Sequence, residues 1–438
     1  MRTYDTYKDS GISWLGQIPS HWDVKRAKVL FNKENRPVLP NDEVVTCFRD
    51  GQVTLRKNRR TEGFTESLKE IGYQGIRKGD LVIHQMDAFA GATGVSDSNG
   101  KGTPVYHVCT PKTDYVNNYY YAHIVRRMGL NGYIQSLYRG IRERSSDFRF
   151  DVFGRQFLPV PPLAEQEAIV AYLDSATAEI DKAIASQQRM VELLQERKQI
   201  IINQAVTQGL NPDAPMKPTN INYIGNVPAH WQITQFKRGI SKLTDYTANG
   251  SFGDLARNVQ YLDYPEYSRL IRLTDLRENL KNDKCVWVNK RSHDYLSKSE
   301  LFGGELLIAN VGAYSGYSCI MPKTNLKCTL GPNMELIECN QLLLNEYASL
   351  VLNSKSFFNH LQMVAISSAQ PKLNKNDIKS IFFLFPPIKE QEEIIEYIKI
   401  TTKPIDAEIT RCEQKIALLT ERKQILINDV VTGKIKVL

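Results

Sequence analysis

Apolar residues recur every seven positions in two segments of the chain, one near its middle and one at its end. In the first segment Leu173, Ile180, Leu194 and Ile201 keep this spacing, with Gln187 at the intervening position. A seven-residue apolar repeat is the contact line of a coiled coil, because it keeps one helix face towards a partner. The predicted seam comprises Ile180, Ile184, Val191, Leu194, Ile405, Ile409, Ile416 and Leu419.

Two such helices can pair with each other, or each can pack on its own globular block. We favour mutual, antiparallel pairing, because the two seams match in spacing and length. Gln187 and Cys412 would interrupt the seam and fix its register. The pattern also predicts a short helix before each long one. Residues 174–177 mark the break in the first copy, and Thr-Thr-Lys-Pro at 401–404 supplies a cap and an early proline in the second.

The helical segments belong to a longer internal repeat. Residues 161–174 read PPLAEQEAIVAYLD and residues 386–399 read PPIKEQEEIIEYIK, an offset of 225. The opening WLG–IP–HW, which ends at Trp22, returns as YIG–VP–HW, which ends at Trp231, at an offset of 209. The chain therefore contains an internal duplication, and the second copy is 16 residues longer between Trp231 and Gly304.

Each copy consists of a globular block followed by a helical segment. Short apolar runs such as residues 80–84 and 305–309 lie between Gly, Asn and Asp turns, which is typical of strands. We predict an α+β fold with two globular blocks separated by two long helices that pair as an antiparallel coiled coil. The predicted segments are 1–160 for the first block, 161–210 for the first helices, 211–385 for a linker with the second block, and 386–438 for the second helices.

Charge and cysteine usage narrow the class of protein. The net charge is +8, and residues 1–160 carry an excess of seven basic residues while residues 161–210 carry an excess of three acidic ones. A basic surplus on two globular blocks favours a polyanionic partner, nucleic acid first, although a solvated basic surface gives the same count. The seven cysteines are scattered without CxxC spacing, so we expect neither a metal site nor disulfides, and a cytoplasmic location. We expect no membrane span, because the chain has no long apolar run.

The length of the predicted helices suggests that they set the distance between the two globular blocks. A long helix from about 177 to 205 spans roughly 42 Å at 1.5 Å per residue. That length matches about 12 base pairs of B-DNA, close to one duplex turn. An antiparallel pair would then hold two readers on one face of a duplex, as in dimeric DNA-binding proteins.

The order of blocks and motifs resembles a known family. Two globular blocks, two PPxxEQ helices, the IPxHW opening and the ERKQ–ILIN–VTG ending are similar to the specificity (S) subunit of type I restriction–modification systems. The resemblance implies two target recognition domains that read a bipartite double-stranded DNA site. It implies a helical spacer that docks two methyltransferase (M) subunits, with restriction (R) subunits joining to cleave. It also implies no cofactor in this chain, because S-adenosylmethionine, ATP and magnesium belong to the partner subunits.

The motifs that the chain lacks agree with a non-catalytic subunit. It contains no GxxxxGK[ST] phosphate loop, no HExxH and no NPPY-like tetrapeptide. His21-Trp22 and His230-Trp231 are interpreted as packing motifs at the start of each block. Two alternatives stay open. The first is a coiled-coil scaffold that does not bind nucleic acid. The second is a stand-alone nuclease or methyltransferase whose motifs are unfamiliar.

Three kinds of segment are candidates for DNA contact. Residues 140–149 and 365–374 are polar, occupy equivalent places and differ in sequence, as two readers of different half-sites should. The loops 85–91 and 310–316 have glycines that allow close backbone approach, although core packing is favoured for Tyr314. The basic run 56–60 is interpreted as phosphate contact. The candidate DNA-binding residues are Lys57, Arg59, Arg60, Arg142, Arg144, Ser145, Ser368, Gln370 and Lys372.

Overall fold

The chain divides into two compact units that interleave along the sequence. The computed structural model describes residues 2–59, 71–137, 147–366 and 372–437 of the chain. Unit 1 comprises Met1–Gln188 and Gln414–Leu438, and unit 2 comprises Arg189–Glu413. Each unit therefore contains one globular block, the opening of the helix that follows that block, and the end of the other long helix.

The block of unit 1 is built around a four-stranded antiparallel sheet in the order β4-β11-β8-β9, flanked by the two-stranded sheets β1-β2, β12-β3, β10-β7 and β5-β6. The strands are β1 (Tyr7–Asp9), β2 (Gln17–Pro19), β3 (Asp23–Arg26), β4 (Phe31–Glu34), β5 (Val45–Cys47), β6 (Val53–Leu55), β7 (Gln74–Ile76), β8 (Leu81–His84), β9 (Thr93–Val95), β10 (Gly100–Gly102), β11 (Tyr106–Pro111) and β12 (Phe157–Val160). The helices are α1 (Ala27–Leu30), α2 (Asn118–Leu130), α3 (Tyr133–Ser136), α4 (Phe150–Arg155) and the long α5 (Leu163–Gln208).

The core of unit 1 lies between this sheet, α2 and the ends of the long helices. Alternate residues of β8 face it, and Tyr120, Ile124 and Met128 of α2 recur at helical spacing on the same face. Asn117 caps the start of α2, and its side chain accepts hydrogen bonds from two backbone N–H groups of the first turn. The apolar spacing of α2 therefore fixes which face packs on the sheet.

Unit 2 repeats the four-stranded sheet in the order β16-β24-β21-β22, with the same chain-order topology as in unit 1. It also has a five-stranded sheet β17-β19-β18-β23-β20 and the pairs β13-β14 and β15-β25. The strands are β13 (Met216–Pro218), β14 (Asn226–Pro228), β15 (Gln232–Gln235), β16 (Ile240–Asp245), β17 (Tyr261–Leu262), β18 (Ser268–Ile271), β19 (Val286–Val288), β20 (Glu300–Leu301), β21 (Leu306–Ala309), β22 (Ser318–Ile320), β23 (Cys328–Leu330), β24 (Met334–Cys339) and β25 (Phe382–Phe385). The helices are α6 (Phe252–Asn258), α7 (Leu273–Arg277), α8 (Lys290–Tyr295), α9 (Asn345–Leu352), α10 (Lys355–Ile366), α11 (Lys375–Ser380) and the long α12 (Ile388–Val431).

The interval that contains the extra residues of the second copy contributes strands to this five-stranded sheet. Strands β17, β18 and β19 all lie between Trp231 and Gly304, where the sequence is 16 residues longer. This interval has its own apolar cluster around Leu270, Val288 and Leu296, each nearly or fully buried. It therefore enlarges the block of unit 2 without changing the sheet that the two copies share.

Each long helix is continuous, so the predicted break between a short and a long helix is wrong. Helix α5 has 46 residues and runs through positions 174–177, while α12 has 44 residues and contains Pro404. The residues on both sides of the expected break are buried against other elements, including Leu173 in unit 1 and Ile398 and Ile405 in unit 2. This packing outweighs the local preference of Thr and Pro for a helix start, since tertiary contacts supply most helix stability.

The glutamate that opens each long helix accepts hydrogen bonds from the His-Trp pair of the preceding block. In unit 1 the Glu165 carboxylate accepts from Trp22 Nε1 at 2.8 Å and from Tyr4 Oη at 3.0 Å, and pairs with His21 Nε2 at 2.5 Å. Both Trp22 and Trp231 are fully buried. We call this contact the helix latch. It explains why His-Trp and Glu-Gln recur together, and it agrees with a packing role for His21 and Trp22.

Unit 2 contains the equivalent latch. The Glu390 carboxylate accepts from Trp231 Nε1 at 3.0 Å and pairs with His230 Nε2 at 2.8 Å. The next residue of each helix, Gln166 or Gln391, is fully buried. The Gln166 side chain donates to the carbonyls of Tyr115 and Pro161 and accepts from a backbone N–H of the loop before α2. Gln391 makes the equivalent three bonds before α9.

The end of each long helix contacts the block of the other copy. In unit 1 the fully buried Tyr120 hydroxyl donates to the carbonyl of Val431 at the end of α12, at 2.9 Å. In unit 2 the Tyr347 hydroxyl donates to the carbonyl of Val206 near the end of α5, at 3.2 Å. Each block therefore holds the start of one long helix and the end of the other, so the two helix segments within each unit run antiparallel.

Pairing of the long helices is visible within each unit. In unit 1 Lys423 of α12 contacts Asp181 of α5 at 2.6 Å, and in unit 2 Lys198 of α5 contacts Asp406 of α12 at 2.6 Å. The two lysines occupy equivalent positions of the internal repeat, as do the two aspartates, so these are the same ion pair in the two copies. The prediction of an antiparallel coiled coil is confirmed. The predicted seam residues are shielded while the flanking faces are exposed, with Ile405 buried and the others half-buried: Ile180, Ile184, Val191, Leu194, Ile409, Ile416 and Leu419.

Candidate nucleic-acid interface

Two loops predicted to contact DNA lie side by side in unit 1. The backbone N–H of Phe148 donates to the carbonyl of Gln85 at 3.1 Å, and the side chain of Gln85 donates to Asp147 at 2.5 Å. Arg149 lies within 2.9 Å of Asp147, and hydrogen bonds from Arg149 and Gln85 hold the pKa of that carboxyl below its ordinary value. Segment 85–91 and residues 147–149 therefore form one polar surface, which we call reading surface 1.

Unit 2 brings the equivalent loops together in the same way. The N–H of Leu373 donates to the carbonyl of Asn310 at 2.9 Å, and Val311 and Lys372 pair as an isolated antiparallel bridge. Leu373 and Asn310 are the counterparts of Phe148 and Gln85 in the internal repeat. Segment 310–316 and residues 372–377 form reading surface 2. The same backbone bond joins the two loops in each copy, while the side chains around it differ between the copies.

A cleft of about 760 Å³ opens at reading surface 2. Lys375 Nζ lies 2.6 Å from Asp245. Burial raises the pKa of Asp245, but hydrogen bonds from Lys375 and Thr247 outweigh it and hold the pKa below its ordinary value. Exposed Lys372 and Phe252 also line the cleft. Ammonium groups at its rim suit phosphate oxygens, and the amide, hydroxyl and carboxylate groups inside suit base edges.

The floor of this cleft contains a buried carboxyl group. Glu335 is 3% exposed, and its Oε1 accepts from Asn310 Nδ2 at 2.9 Å. Burial raises the pKa of Glu335 to about 7, with Asp245 adding to the rise and Asn310 opposing it. Asn310 opens the predicted loop 310–316, whereas Glu335, Asp245 and Lys375 were not among the predicted site residues. The available signal was a charged residue at the second position of β24, within the run Met-Glu-Leu-Ile.

Three of the nine predicted DNA-binding residues are described by the structure. Lys372 lies at the cleft of reading surface 2. Lys57 and Arg59 lie after β6, where Lys57 pairs with Glu43 at 2.5 Å and Arg59 pairs with Asp50 at 2.6 Å. Their assignment to DNA contact stays a prediction. The remaining six lie outside the described residues: Arg60, Arg142, Arg144, Ser145, Ser368 and Gln370.

Tyr314 lies at the surface, so the preference for core packing at this position is wrong. Its side chain is 45% exposed, and the Arg277 guanidinium lies 4.6 Å from the ring centroid. The glycines around it turn the loop outward, with Gly312 and Gly316 both at positive φ. The ring is therefore available to stack on a base or sugar.

Part of the chain matches a known protein family, and the chain is similar to named members of it. Residues 259–418 match the family model described as "Type I restriction modification DNA specificity domain". The chain is 23% identical over 248 residues to the EcoKI specificity subunit of Escherichia coli K12, a match that covers 55% of this chain and 50% of that protein. It is 21% identical over 442 residues to the putative MjaX specificity subunit of Methanocaldococcus jannaschii, covering 97% and 96% of the two chains.

The chain thus matches about half the length of the EcoKI subunit and nearly the whole of the MjaX subunit. A solved structure described as "Structural basis underlying complex assembly and conformational transition of the type I R-M system" has a TM-score of 0.65 at 15% identity, covering 95% of this chain and 99% of that one. The predicted fold class is confirmed, and so is the resemblance to type I specificity subunits.

Proposed function

We propose that this chain is the DNA sequence-specificity subunit of a type I restriction–modification complex, in which each block reads one half of a bipartite duplex site. The observation that carries the proposal is the duplicated reading surface. Gln85 and Asn310 make the same backbone bond to the facing loop, while the polar side chains around them differ between the copies. A single chain with two such surfaces supplies two different half-site readers.

The chain itself would not catalyse either reaction of the complex. S-adenosylmethionine, ATP and magnesium would act in the methyltransferase and restriction subunits, and this chain would select the sequence and set the spacing. The cysteines are free, in agreement with the cytoplasmic location that we expect from their spacing. A cytoplasmic location suits a protein that binds intracellular DNA. Within the described residues, no helix has the length and hydrophobicity needed to cross a bilayer.

The outer face of the long helices supports docking of two identical methyltransferase subunits. In unit 2 Leu193 and Ile200 of α5 are 43% and 51% exposed, and in unit 1 Leu418 and Ile425 of α12 are 65% and 52% exposed. Each leucine lies two helical turns before its isoleucine, and the two pairs occupy equivalent positions of the internal repeat. Apolar stripes on a helix surface mark partner contacts, and a stripe that occurs twice fits two copies of one partner.

The first test is co-expression with the partner methyltransferase in a host without DNA methylation, followed by single-molecule sequencing for modified bases. We expect methylation of two short half-sites around a fixed, unspecified gap. Soluble, associated proteins that leave the DNA unmethylated would favour the scaffold alternative. Cleavage or methyl transfer by the purified chain alone would favour the stand-alone enzyme.

The stoichiometry has its own test by native mass spectrometry of the purified complex. The wild-type chain should carry two methyltransferase subunits, and Leu193→Asp or Leu418→Asp should each leave one. Gln199→Ala, at an exposed position of α5 about 120° around the helix from Leu193, is the matched control and should keep both. Retention of two subunits by both leucine variants would contradict this docking face.

A further inference from the structure

A buried titratable residue occupies the same strand position in the two shared sheets. On β11 of unit 1 His107 pairs with Ile83 of β8, and on β24 of unit 2 Glu335 pairs with Ile308 of β21. Ile83 and Ile308 are counterparts in the internal repeat, so His107 and Glu335 are structural equivalents with different chemistry. Their side chains are only 4% and 3% exposed.

In unit 1 the imidazole of His107 is hydrogen-bonded to reading surface 1 from its buried side. Its Nε2 lies 3.0 Å from the carbonyl oxygen of Phe148. A carbonyl can only accept, so Nε2 carries the hydrogen and donates it. Phe148 in turn donates its backbone N–H to Gln85. One buried side chain is thus bonded to the residue that joins the two loops.

In unit 2 the carboxyl of Glu335 is connected to reading surface 2 through one intermediate residue, Asn310. Glu335 accepts from the side-chain amide of Asn310, and the backbone carbonyl of Asn310 accepts from Leu373. Asn310 is 7% exposed, and its Oδ1, like Oε2 of Glu335, has no partner among the described residues. The connection therefore rests on the single Asn310–Glu335 bond, and loss of that bond frees the loop side chain.

We propose that His107 and Glu335 are positioning residues for sequence recognition, each setting the geometry of its own reading surface and so the selectivity for one half-site. The inference rests on the proposed function, which it deepens. Side chains that reach base edges must be held within about half an ångström by the residues behind them. A changed residue at this buried position would shift the loop pair of one block and leave the other block unaffected.

The charged groups around His107 and Glu335 differ, so selectivity for the two half-sites should depend on pH in different ways. Glu335 faces Asp245 directly across the β16–β24 pair, and Lys372 and Lys375 approach it from the segment before and at the start of α11. Its pKa of about 7 lies within the range of an ordinary binding assay. The ionised carboxylate makes the stronger, charge-assisted bond to Asn310. Selectivity for the second half-site should therefore increase from pH 6 to pH 8.

His107 keeps one charge state over the same range. Burial lowers its pKa to about 4, Lys33 adds to the fall, and the Phe148 carbonyl with Asp147 and Asp151 opposes it. The imidazole is accordingly neutral at both pH 6 and pH 8. Selectivity for the first half-site should be constant across this interval.

The experiment is selection of bound duplexes from a randomised library by the full chain in complex with its methyltransferase, followed by sequencing at pH 6, 7 and 8. Selectivity is scored separately for each half-site. The variants are His107→Ala, Glu335→Ala and Glu335→Gln. The matched control is Glu338→Gln, on the same strand, whose carboxylate pairs with Lys242 at 2.9 Å.

Each alanine variant should lose about tenfold in selectivity at its own half-site, because a buried polar partner is left unpaired. The other half-site in the same molecule should stay within about twofold, which excludes general unfolding as the cause. Glu335→Gln should remove the pH dependence of the second half-site, and Glu338→Gln should change neither half.

Two results would overturn the inference while leaving the proposed function intact. One is a bipartite motif that Glu335→Ala and His107→Ala leave unchanged. The other is an equal loss at both half-sites in either variant. Failure of the wild-type complex to select any split motif would instead remove the proposed function, and with it the basis of this inference.

Discussion

The helix latch gives the sharpest prediction about stability, with Glu165→Ala as the perturbation. The substitution leaves the buried Trp22 indole N–H and the nearly buried Tyr4 hydroxyl without the acceptor they have at 2.8 and 3.0 Å. A hydrogen bond to a charged group contributes about 1.5–3 kcal/mol when buried. The third partner, His21, has a side chain 47% exposed, so solvent screening reduces its contribution to about 0–1 kcal/mol. The expected loss is about 3–7 kcal/mol, confined to unit 1.

Hydrogen exchange of the full chain, followed by mass spectrometry, measures this loss locally. Peptides covering residues 2–30 should show a lower free energy of opening in Glu165→Ala, while peptides covering 216–240 should be unchanged within about 0.5 kcal/mol. Glu390→Ala is the internal counterpart. It has one buried donor, Trp231, beside the half-exposed His230, so the loss in unit 2 should be smaller, about 1.5–4 kcal/mol.

Either of two outcomes would exclude a local stabilising role for the latch. One is a change below about 1 kcal/mol in unit 1, which would mean that water replaces the carboxylate without cost. The other is an equal change in both units, which would make the latch a global rather than a local contact. A double-mutant cycle with Tyr4→Phe should give a coupling energy of about 1–2 kcal/mol, since that change removes only the hydroxyl.

Three further predictions concern the helices and the cleft. Glu335→Gln should match wild-type stability near pH 4 and exceed it by about 3 kcal/mol at pH 8 in urea unfolding. The folded pKa of about 7 lies above the ordinary value of 4.5, so wild-type stability falls as pH rises between them. Pro404→Ala should raise the thermal midpoint, because a proline inside a helix costs up to about 3 kcal/mol. Asp181→Lys should cost about 0.5 kcal/mol in a thermal melt and be rescued by Lys423→Glu, since the pair is partly exposed.

The sequence was sufficient to predict features that depend on spacing within one segment. The seven-residue repeat predicted the helices and their shielded face, and the internal repeat predicted two blocks of one fold. It was misleading at residues 174–177 and at Pro404, where local capping signals compete with contacts to distant residues. Those contacts, which bury Leu173 and Ile398, cannot be inferred from neighbours in the sequence.

The candidate site was harder to predict because its parts come together through long-range strand pairing. The position of Glu335 beneath Asn310 depends on the register of β21 against β24, 25 residues apart in sequence. Apolar alternation gives the face of each strand but leaves the neighbour undetermined. Similarly, the repeat identified His-Trp and Glu-Gln as paired motifs, and only the fold shows that one binds the other.

The two copies divide their buried polar contacts into a class that is repeated and a class that differs. The latch is the same in both, with a glutamate that accepts from a tryptophan, and it fixes where a long helix leaves its block. The support beneath the reading surfaces differs, with an imidazole in one copy and a carboxyl in the other. A fold arranged in this way can change the loops and the residue beneath them without altering the attachment of the helices. Replacing the loops of one block alone should therefore transfer selectivity incompletely, whereas replacing them together with the residue at 107 or 335 should transfer it in full.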